Sequence, residues 1–419
     1  MEKLVITGGN KLSGEIDVSS AKNSVLPIIA ASILSGDKCV IENAPMLEDV
    51  FVIGDLLKSL KADIDINKEN NRVVIDTSNL IQGEPSSELV RKMRASFLIM
   101  GPMISRYGRF KLSLPGGCNI GSRPIDLHLK GFTALGAEVN IGHGYVEAKA
   151  DKLIGNKIYL DFPSVGATEN IMMAAVLAEG ETIIENSAEE PEIEDLAKFL
   201  NSMGAQIIGA GTDTIKIIGV KDLKGTVHKP ICDRIEAGTF MVAAAINKSK
   251  IKINSVNEEH LKPIIAKLTE MGVFLEIQGS SIIIDGTKEL KPVDIKTMPY
   301  PGFPTDMQAQ MMSLLCTIPG TSIITETVFE NRFMHASELK RMGANIKIDG
   351  RSAVIEGVDK LTGSEVKATD LRAGAALILA ALVAEGTTEI GDIYHIDRGY
   401  VSIEEKFKRL GADIYRIKI

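Results

Sequence analysis

The stretch Leu410-Gly-Ala-Asp-Ile414 ends a helical pattern and starts a strand pattern, and variants of it recur five times earlier in the chain. Its glycine favours the left-handed conformation that closes a helix, and alternating residues after it predict a strand. Successive copies are 75, 68, 68, 71 and 68 residues apart. The earlier copies are Leu60-Lys-Ala-Asp-Ile64, Leu135-Gly-Ala-Glu-Val139, Met203-Gly-Ala-Gln-Ile207, Met271-Gly-Val-Phe-Leu275 and Met342-Gly-Ala-Asn-Ile346. The chain therefore contains six α/β repeats, and only the first departs from the pattern, with Lys61 in place of the glycine.

Two kinds of helix are predicted in each repeat. The helix before the recurring ending is amphipathic, as in the series Ile193, Leu196, Phe199, Leu200 and Met203. The other helix lies further back and is rich in small apolar residues, as in 174–180 and 380–386. Because such a helix lacks a polar face, it must be packed closely, and we expect it to be buried all round.

The six repeats favour two domains of three repeats each. A chain of 419 residues is too long for one ordinary core, and the repeat is longer than those of thin solenoids. We expect an α/β fold in which residues 1–20 and 230–419 form one domain and residues 21–229 form the other. The first would carry Asp306, Asp370 and Arg398, and the second would carry Lys22, Arg94 and the loop around Cys118.

Composition narrows the class of protein. Hydrophobic residues make up 45% of the chain and charged residues 24%, as in soluble globular proteins. A net charge of −8 without a long basic run argues against nucleic-acid binding. The longest apolar run, from Ala373 to Ala384, is too short to span a bilayer, and no apolar signal core follows Met1. We therefore expect no membrane role.

The cysteines and histidines predict neither a disulfide framework nor a metal site. Cys39, Cys118, Cys232 and Cys316 lie far apart without a Cys-x-x-Cys pair, which fits the reducing cytoplasm. The six histidines show no spacing typical of metal ligands. We expect no metal and no cofactor.

The segment Leu114-Pro-Gly-Gly-Cys-Asn-Ile-Gly-Ser-Arg-Pro-Ile-Asp126 is the strongest candidate for a functional loop. Pro115 and three glycines break helix and strand alike, so backbone N–H groups can approach a ligand closely. Cys118 lies five residues from Arg123, in electropositive surroundings that tune a thiol. A P-loop is excluded because Ser122-Arg123 stands where Lys-Ser/Thr is required.

Comparison of the repeats singles out the same segment. From the glycine that ends the apolar helix to the next recurring ending, the first, third and fifth repeats have 24, 23 and 22 residues, whereas the second has 27. The extra residues fall in the loop around Cys118. An insertion that the fold does not need favours a functional role over a neutral surface insertion.

Charged residues gather where the apolar helices begin. Asp306 and Asp370 could be ordinary helix caps, because carboxylates are favoured there. Lys22, Arg94 and Arg372 are cations at the positive end of a helix dipole, which predicts an anion bound beside them. The arginines of two loops, Arg332 and Arg398, occupy positions equivalent to the Cys118 insertion.

Eight motifs together carry a resemblance that runs from end to end of the chain. They are Ser20-Ala-Lys-Asn23, Met93-Arg-Ala-Ser96, the Leu114–Asp126 segment, Ser164-Val-Gly-Ala-Thr168, Phe303-Pro-Thr-Asp-Met-Gln-Ala-Gln310, Glu330-Asn-Arg-Phe333, Ala368-Thr-Asp-Leu-Arg-Ala373 and Tyr394-His-Ile-Asp-Arg-Gly399. With them the chain resembles the enolpyruvyl transferases with an EPSP synthase-like fold, and among these the ones that act on UDP-N-acetylglucosamine (UDP-GlcNAc). The resemblance implies two lobes, each an inside-out α/β barrel with buried helices.

The implied reaction moves the enolpyruvyl group of phosphoenolpyruvate onto the 3′-hydroxyl of UDP-GlcNAc and releases phosphate, the first committed step of peptidoglycan synthesis. The resemblance assigns Asp306 as the base and Cys118 as the proton donor to C3, with Asp370 aiding proton traffic or positioning a neighbour. It also implies sensitivity of Cys118 to the epoxide fosfomycin. Cations that match family positions for the phosphate and carboxylate are Lys22, Arg123, Arg332, Arg372 and Arg398.

The resemblance further implies a set of contacts to the nucleotide sugar. They would come from Asn23, Arg94, Arg123, Pro124, Ile125, Asp126, Leu127, Ser164, Val165, Gly166, Asp306 and Val328. One departure is Phe162, where some members of the family that resemble this chain carry a lysine near the nucleotide. The expected partners are these two small molecules and no others, and a monomer is the working expectation for the subunit number.

Two alternatives remain at the level of the sequence. An enolpyruvylshikimate-phosphate synthase would share fold and donor but use another acceptor, and that group lacks the cysteine-bearing loop as spelled here. A noncatalytic nucleotide-sugar-binding paralogue would not need the intact Cys118, Asp306 and Arg398.

Overall fold

The structure is a computed structural model that describes residues 2–114 and 125–418. The strands, in chain order, are β1 (Glu2–Thr7), β2 (Glu15–Asp17), β3 (Lys38–Ile41), β4 (Asp63–Asn67), β5 (Arg72–Asp76), β6 (Arg109–Ser113), β7 (Glu138–Gly142), β8 (Tyr145–Lys149), β9 (Lys157–Tyr159), β10 (Glu181–Glu185), β11 (Gln206–Ile208), β12 (Thr214–Ile218), β13 (Val227–His228), β14 (Lys250–Asn254), β15 (Phe274–Gln278), β16 (Ser281–Asp285), β17 (Ile295–Lys296), β18 (Thr321–Thr325), β19 (Asn345–Asp349), β20 (Ser352–Glu356), β21 (Glu365–Lys367), β22 (Thr387–Gly391) and β23 (Asp413–Lys418).

The α-helices are α1 (Lys22–Ala31), α2 (Glu48–Ser59), α3 (Ser87–Lys92), α4 (Met100–Tyr107), α5 (Asp126–Ala134), α6 (Val165–Ala175), α7 (Pro191–Ser202), α8 (Arg234–Ile246), α9 (Lys262–Met271), α10 (Gln308–Leu315), α11 (His335–Arg341), α12 (Leu371–Ala381), α13 (Tyr394–Asp397) and α14 (Ile403–Arg409). Short 3₁₀ helices cover Ser32–Ser35, Arg94–Ile99, Glu258–Leu261 and Thr305–Met307. Within residues 2–114 and 125–418, no helix combines the length and apolarity needed to cross a membrane.

The chain divides into two compact units. Among the described residues, the C-terminal lobe contains those up to Ser19 and those from Cys232 onward, and the N-terminal lobe runs from Ser20 to Ile231. Asp306, Asp370 and Arg398 therefore lie in the C-terminal lobe, and Lys22 and Arg94 lie in the N-terminal lobe.

Each lobe carries three small sheets in the part of the chain that the structure describes. The C-terminal lobe has the strand orders β21-β22-β1-β23, β15-β16-β14-β2 and β17-β18-β20-β19. The N-terminal lobe has β11-β12-β10-β9, β13-β3-β5-β4 and β6-β8-β7. In five of the six sheets one edge strand runs parallel to its neighbour while the others pair antiparallel, as where β14 joins β2 in parallel and β16 in antiparallel register.

Helices fill the interior of each lobe and the sheets face outward. Every residue of α8 from Ile235 to Ile246 and of α12 from Arg372 to Ala381 is buried, whereas strands such as β12 alternate buried and exposed residues. The side chain of Ile396 packs directly against the backbone of α12, because a Cβ on Gly374 would lie 2.4 Å from a side-chain carbon of Ile396. The expected α/β fold, with six repeats and three per lobe as inside-out barrels, is confirmed.

The recurring ending adopts the predicted backbone. Its glycine has a positive φ at Gly136, Gly204, Gly272, Gly343 and Gly411. Lys61, at the departing position of the first repeat, adopts the same left-handed conformation with φ 70°. The fold therefore requires this conformation even where the residue lacks glycine's freedom.

Candidate active site

Asp306 is the centre of a charged cluster in the C-terminal lobe. It lies in the 3₁₀ turn Thr305–Met307 that leads into α10. Arg332 donates from Nη2 to Oδ1 at 2.9 Å, and Arg372 donates from Nη2 to Oδ2, also at 2.9 Å. The two arginine side chains are 4% exposed, whereas Asp306 is 26% exposed, so the carboxylate is the part of the cluster that solvent can reach.

The two arginines decide the charge of Asp306. Burial alone would raise the pKa of the carboxyl group, but Arg372 and Arg332 outweigh it and hold that pKa well below its usual range. Burial likewise lowers the pKa of Arg372, and the charge of Asp306 reverses the effect, so the pKa of this guanidinium is raised. Asp306 is therefore ionised, and it is a weak base while both hydrogen bonds persist.

The same cluster contains donors that no described residue uses. Nη1 of Arg332 and Nη1 of Arg372 are buried and lack a hydrogen-bond partner, as does Nε2 of His335. Burial lowers the pKa of His335 to about 4, although Asp370 acts in the opposite direction, so its imidazole is neutral at pH 7. Buried groups with unmet hydrogen bonds are costly to keep, which makes this cluster a candidate binding site for an anion.

Asp370 caps helix α12. Its Oδ1 accepts hydrogen bonds from the backbone N–H groups of Arg372 at 2.8 Å and Ala373 at 3.0 Å. Arg372 occupies the first turn of the same helix, where a cation is unfavourable. The negative charge predicted beside Arg372 comes from two carboxylates of the same lobe, those of Asp306 and of the cap Asp370.

Arg398 follows the short helix α13, and contacts from strand β23 hold this helix in place. Arg416 of β23 binds Asp397 with two hydrogen bonds, at 2.9 and 2.7 Å, and also binds Glu404 at 3.0 Å. Val328 lies next to the Asp306 turn in the hydrogen-bond network, because its N–H and the hydroxyl of Thr305 both donate to Glu326.

Lys22 begins α1 in the N-terminal lobe. Its Nζ lies 2.7 Å from Oδ2 of Asp49, and both side chains are largely buried. Asn23 beside it is exposed. The next residue, Ser24, donates to the buried carboxylate of Asp195, which also binds His228 at 3.0 Å. Lys22 at the start of α1 is therefore paired with a carboxylate of its own lobe, as Arg372 at the start of α12 is paired with Asp306.

The start of α6 brings several predicted nucleotide contacts together. Ser164 is the N-cap and accepts a hydrogen bond from the N–H of Ala167 at 3.4 Å, while Val165 and Gly166 are half-buried in the first turn. Helix α5, whose N-terminal residues are Asp126 and Leu127 after Ile125, packs against α6. Phe162, at the departing position, is 43% exposed just before this turn.

One residue beside this turn was missed at the level of the sequence. His128 of α5 lies near Arg94 and against Gly166, and burial together with the charge of Arg94 lowers the pKa of its imidazole to about 3. A single histidine in a helical pattern gives no signal of this kind. Its position directly after the predicted contact Leu127 was the one available hint.

A buried acid lies further along the same helix. Glu169 is 3% exposed, and burial together with the neighbouring Glu192 and Glu190 raises its pKa well above the usual value. These surroundings favour the protonated form of the carboxyl group in the folded state. Cys118, Arg123 and Pro124 lie outside the described residues.

The family model for EPSP synthase (3-phosphoshikimate 1-carboxyvinyltransferase) matches residues 6–407. The crystal structure of the enolpyruvyl transferase NikO from Streptomyces tendae superposes with a TM-score of 0.91 at 26% identity, covering 100% of this chain and 99% of that one. EPSP synthase from Acinetobacter baumannii has the same fold, with a TM-score of 0.76 at 19% identity and full coverage of both chains. The fold thus places the chain in the enolpyruvyl transferase class of proteins.

Curated relatives narrow the class. UDP-N-acetylglucosamine 1-carboxyvinyltransferase 2 of Clostridium tetani is 76% identical over the full length of both chains. UDP-N-acetylglucosamine 1-carboxyvinyltransferase 1 of Clostridium acetobutylicum is 71% identical, again over both full lengths. The chain belongs to the EPSP synthase family and, within it, to the UDP-N-acetylglucosamine 1-carboxyvinyltransferases.

Proposed function

We propose that the protein transfers the enolpyruvyl group of phosphoenolpyruvate to the 3′-hydroxyl of UDP-GlcNAc and releases phosphate. The observation that carries this proposal is the Asp306 cluster, in which a partly exposed carboxylate is held by two buried arginines with unused N–H groups. This combination can accept a proton and hold an anion at one place. The 76% identity to a relative of that name supports the choice of acceptor.

The first step adds the sugar hydroxyl to C2 of the enol. Asp306 takes the proton of that hydroxyl, and C3 gains a proton, for which Cys118 is the proposed donor. In the second step C2 loses phosphate, which takes the proton from Asp306, and C3 returns a proton to the Cys118 thiolate, so that the C2–C3 double bond forms again and gives the enol ether product. Asp306 becomes a stronger base when a substrate anion draws Arg332 or Arg372 away from it, because its low pKa depends on those two charges.

Cations neutralise the phosphate and carboxylate of phosphoenolpyruvate in this proposal. Arg332 and Arg372 present the unused Nη1 groups in the Asp306 cluster. Lys22, Arg123 and Arg398 are proposed as further ligands of the same substrate. Bidentate arginine contacts suit both anionic groups. Asp370 acts mainly by holding the first turn of α12, and hence Arg372, in place.

The nucleotide sugar is proposed to bind along the helix starts of the N-terminal lobe. The first turn of α6 offers backbone N–H groups at Val165 and Gly166, where a phosphate is favoured. The further contacts are proposed from Asn23, Arg94, Arg123, Pro124, Ile125, Asp126, Leu127, Ser164, Asp306 and Val328.

The proposed setting is peptidoglycan synthesis in the cytoplasm. The proposed partners are the two small molecules alone, and the proposed state is a monomer. Phosphoenolpyruvate and UDP-GlcNAc are both soluble anions, so neither requires a membrane or a nucleic acid for its delivery.

A phosphate-release assay tests the proposed function. Phosphoenolpyruvate is supplied with UDP-GlcNAc or with shikimate 3-phosphate, and the product is identified by mass. We expect release only with UDP-GlcNAc, together with a product heavier by one enolpyruvyl group. Release with shikimate 3-phosphate would favour the other branch of the family, and binding of UDP-GlcNAc without release would indicate a noncatalytic paralogue.

A further inference from the structure

His128 is packed so that one edge of its ring faces the first turn of α6. The ring meets Phe97 edge-on, with centroids 5.0 Å apart and planes at 89°. A Cβ on Gly166 would lie 3.3 Å from Cε1 and 3.6 Å from Nε2 of the imidazole. The Nε2 edge therefore lies beside Gly166, and no described residue accepts a hydrogen bond from Nε2.

The other edge of the ring is held by an amide whose orientation is fixed. Oδ1 of Asn170 accepts the N–H of Gly101 at 2.7 Å, and Nδ2 donates to the carbonyl oxygen of Phe97 at 2.9 Å. Turning the amide over would set two donors and two acceptors against each other. Nδ2 of Asn170 must therefore face Nδ1 of His128, which lies 3.1 Å away.

This arrangement selects one tautomer of His128. Because an N–H group points at Nδ1, that nitrogen must carry a lone pair, and the ring proton belongs on Nε2. A second proton on Nδ1 would collide with the amide hydrogen of Asn170. Burial and the charge of Arg94 also oppose protonation, so the pKa of the imidazole is lowered to about 3. Among the described residues, Arg94 is the charged group that acts on the ring. The contacts of the ring with Phe97, Asn170 and Gly166 are uncharged.

We infer that His128 determines specificity for the nucleotide sugar: its Nε2–H, locked in the neutral tautomer by Asn170, donates a hydrogen bond to a diphosphate oxygen bound at the start of α6. This inference rests on the proposed function. A fixed uncharged donor adds affinity only where an acceptor atom is correctly placed, whereas a further cation beside Arg94 would attract any anion. The site thereby gains discrimination without additional nonspecific charge.

A matched pair of substitutions separates the two edges of the ring. In His128→Asn the side-chain amide can keep the contact with Asn170 but has no group at the position of Nε2. In His128→Gln the amide nitrogen reaches the position of Nε2 but the contact with Asn170 is lost. His143→Gln, on an exposed histidine in the β7–β8 turn, is the control for the substitution itself.

Binding of UDP, UMP and uridine to each variant is measured by calorimetry, with thermal unfolding as the check of folding. We expect His128→Asn to weaken UDP about 10- to 100-fold and His128→Gln to weaken it less than about threefold, as for loss and retention of a hydrogen bond to a charged group. Uridine should bind all variants alike. Wild-type affinity of His128→Asn for UDP, or an equal loss for uridine, would overturn the inference.

Nitrogen NMR of the wild-type protein gives a second readout that does not depend on a variant folding. With ¹⁵N-histidine, and His128 assigned by its absence in His128→Gln, we expect a neutral Nε2–H ring from about pH 5 to pH 8. A ring that titrates in this range, or carries its proton on Nδ1, would contradict the inference. If the wild-type protein binds neither UDP nor UDP-GlcNAc, the proposed function fails as well, whereas normal turnover with an unaffected His128→Asn removes this inference alone.

Discussion

The Asp306 cluster of the C-terminal lobe and the His128 cluster of the N-terminal lobe, formed by His128, Asn170, Phe97 and Gly166, offer hydrogen-bond donors to a ligand in opposite charge states. Both contain nitrogen donors that no described residue uses as a hydrogen-bond partner and that a polar ligand could therefore use. Around Asp306 the donors are charged, and two guanidinium groups are balanced by one carboxylate. Around His128 the donor is neutral, because the Asn170 amide, with its fixed orientation, keeps the imidazole in the tautomer that is protonated on Nε2.

The difference teaches which cluster can support chemistry and which can only select a ligand. The protonation of Asp306 depends on two charges that a bound anion can displace, so its basicity responds to the substrate. The protonation of His128 depends on the Asn170 amide, whose orientation is fixed by two hydrogen bonds within the lobe, and does not respond to the ligand. We therefore expect substitutions at Asp306 to change rates and substitutions at His128 to change affinity.

The largest effect is expected for Asp306→Asn. The substitution removes the proposed base and leaves two buried guanidinium groups without their counter-charge. Turnover should fall about 100- to 10,000-fold, the range for loss of a general base. Phosphate release measures the rate, and thermal unfolding measures the stability, which should fall by about 3 kcal/mol because buried charges lose their partner.

Asp349→Asn, on an exposed aspartate of β19, is the matched control and should leave both quantities unchanged. If Asp306→Asn kept turnover within a factor of ten of the wild type, the carboxylate would not be the base.

A smaller effect is expected for Arg332→Lys and Arg372→Lys. Lysine keeps the positive charge but loses the planar fork, so one contact to Asp306 can persist while the second N–H group disappears. The KM for phosphoenolpyruvate should rise about tenfold for each. Affinity for UDP should remain that of the wild type, because these residues lie in the other lobe from α6.

Arg351→Lys, at an exposed arginine that binds a backbone carbonyl, serves as the control. Equal losses of affinity for phosphoenolpyruvate and UDP would show that the arginines act on the fold and not on one substrate.

Glu169 gives a test by pH. The pKa of Glu169 in the folded protein is raised above the unfolded value of about 4.3. Between these two pKa values the folded state keeps a proton that the unfolded state releases. The free energy of unfolding therefore falls as the pH rises from about 4.3 towards the folded-state pKa. Glu169→Gln removes this loss. The melting temperature of the variant should exceed that of the wild type by more at pH 8 than at pH 5.

The exposed Glu42 provides the control substitution Glu42→Gln, which should show no such dependence. A gain from Glu169→Gln that is the same at both pH values would mean that Glu169 is already ionised in the folded protein.

The smallest effects are expected from the helix caps, and they differ between the lobes. Asp370 accepts two short backbone hydrogen bonds at the start of α12, whereas Ser164 accepts one long bond at the start of α6. Asp370→Ala should cost about 1–2 kcal/mol of unfolding free energy and Ser164→Ala about 0.5 kcal/mol. Denaturant unfolding measures both, and the reverse order would contradict the assignment of Asp370 as the stronger cap.

The fold was predictable because its signal is repeated. Six copies of one ending, each with a glycine or with Lys61 at a left-handed position, specify the helix and strand order without any long-range information. The partners of the charged residues were not predictable. Lys22 and Asp49 are 27 residues apart and Asp306 and Arg372 are 66 apart, so only the folded chain brings them together.

The missed residue illustrates the same limit. Asn170 fixes the tautomer of His128 across 42 residues of sequence, through bonds that no local pattern encodes. The sequence marked the cations at helix starts as candidates for binding an anion, but it could not reveal that Asp49 and Asp306 already lie beside two of them. Cys118 was the most prominent residue of the sequence, and its proposed role stays a prediction because it lies outside the described residues.

A crossed measurement on two variants tests the central claim most directly. The single-turnover rate at saturating substrates is determined for Asp306→Asn and His128→Asn, together with the Kd for UDP, which lacks the sugar that Asp306 is proposed to contact. The account predicts that Asp306→Asn loses rate and keeps the Kd, while His128→Asn loses affinity and keeps the saturated rate. A slow saturated rate in His128→Asn, with an unchanged rate in Asp306→Asn, would contradict it.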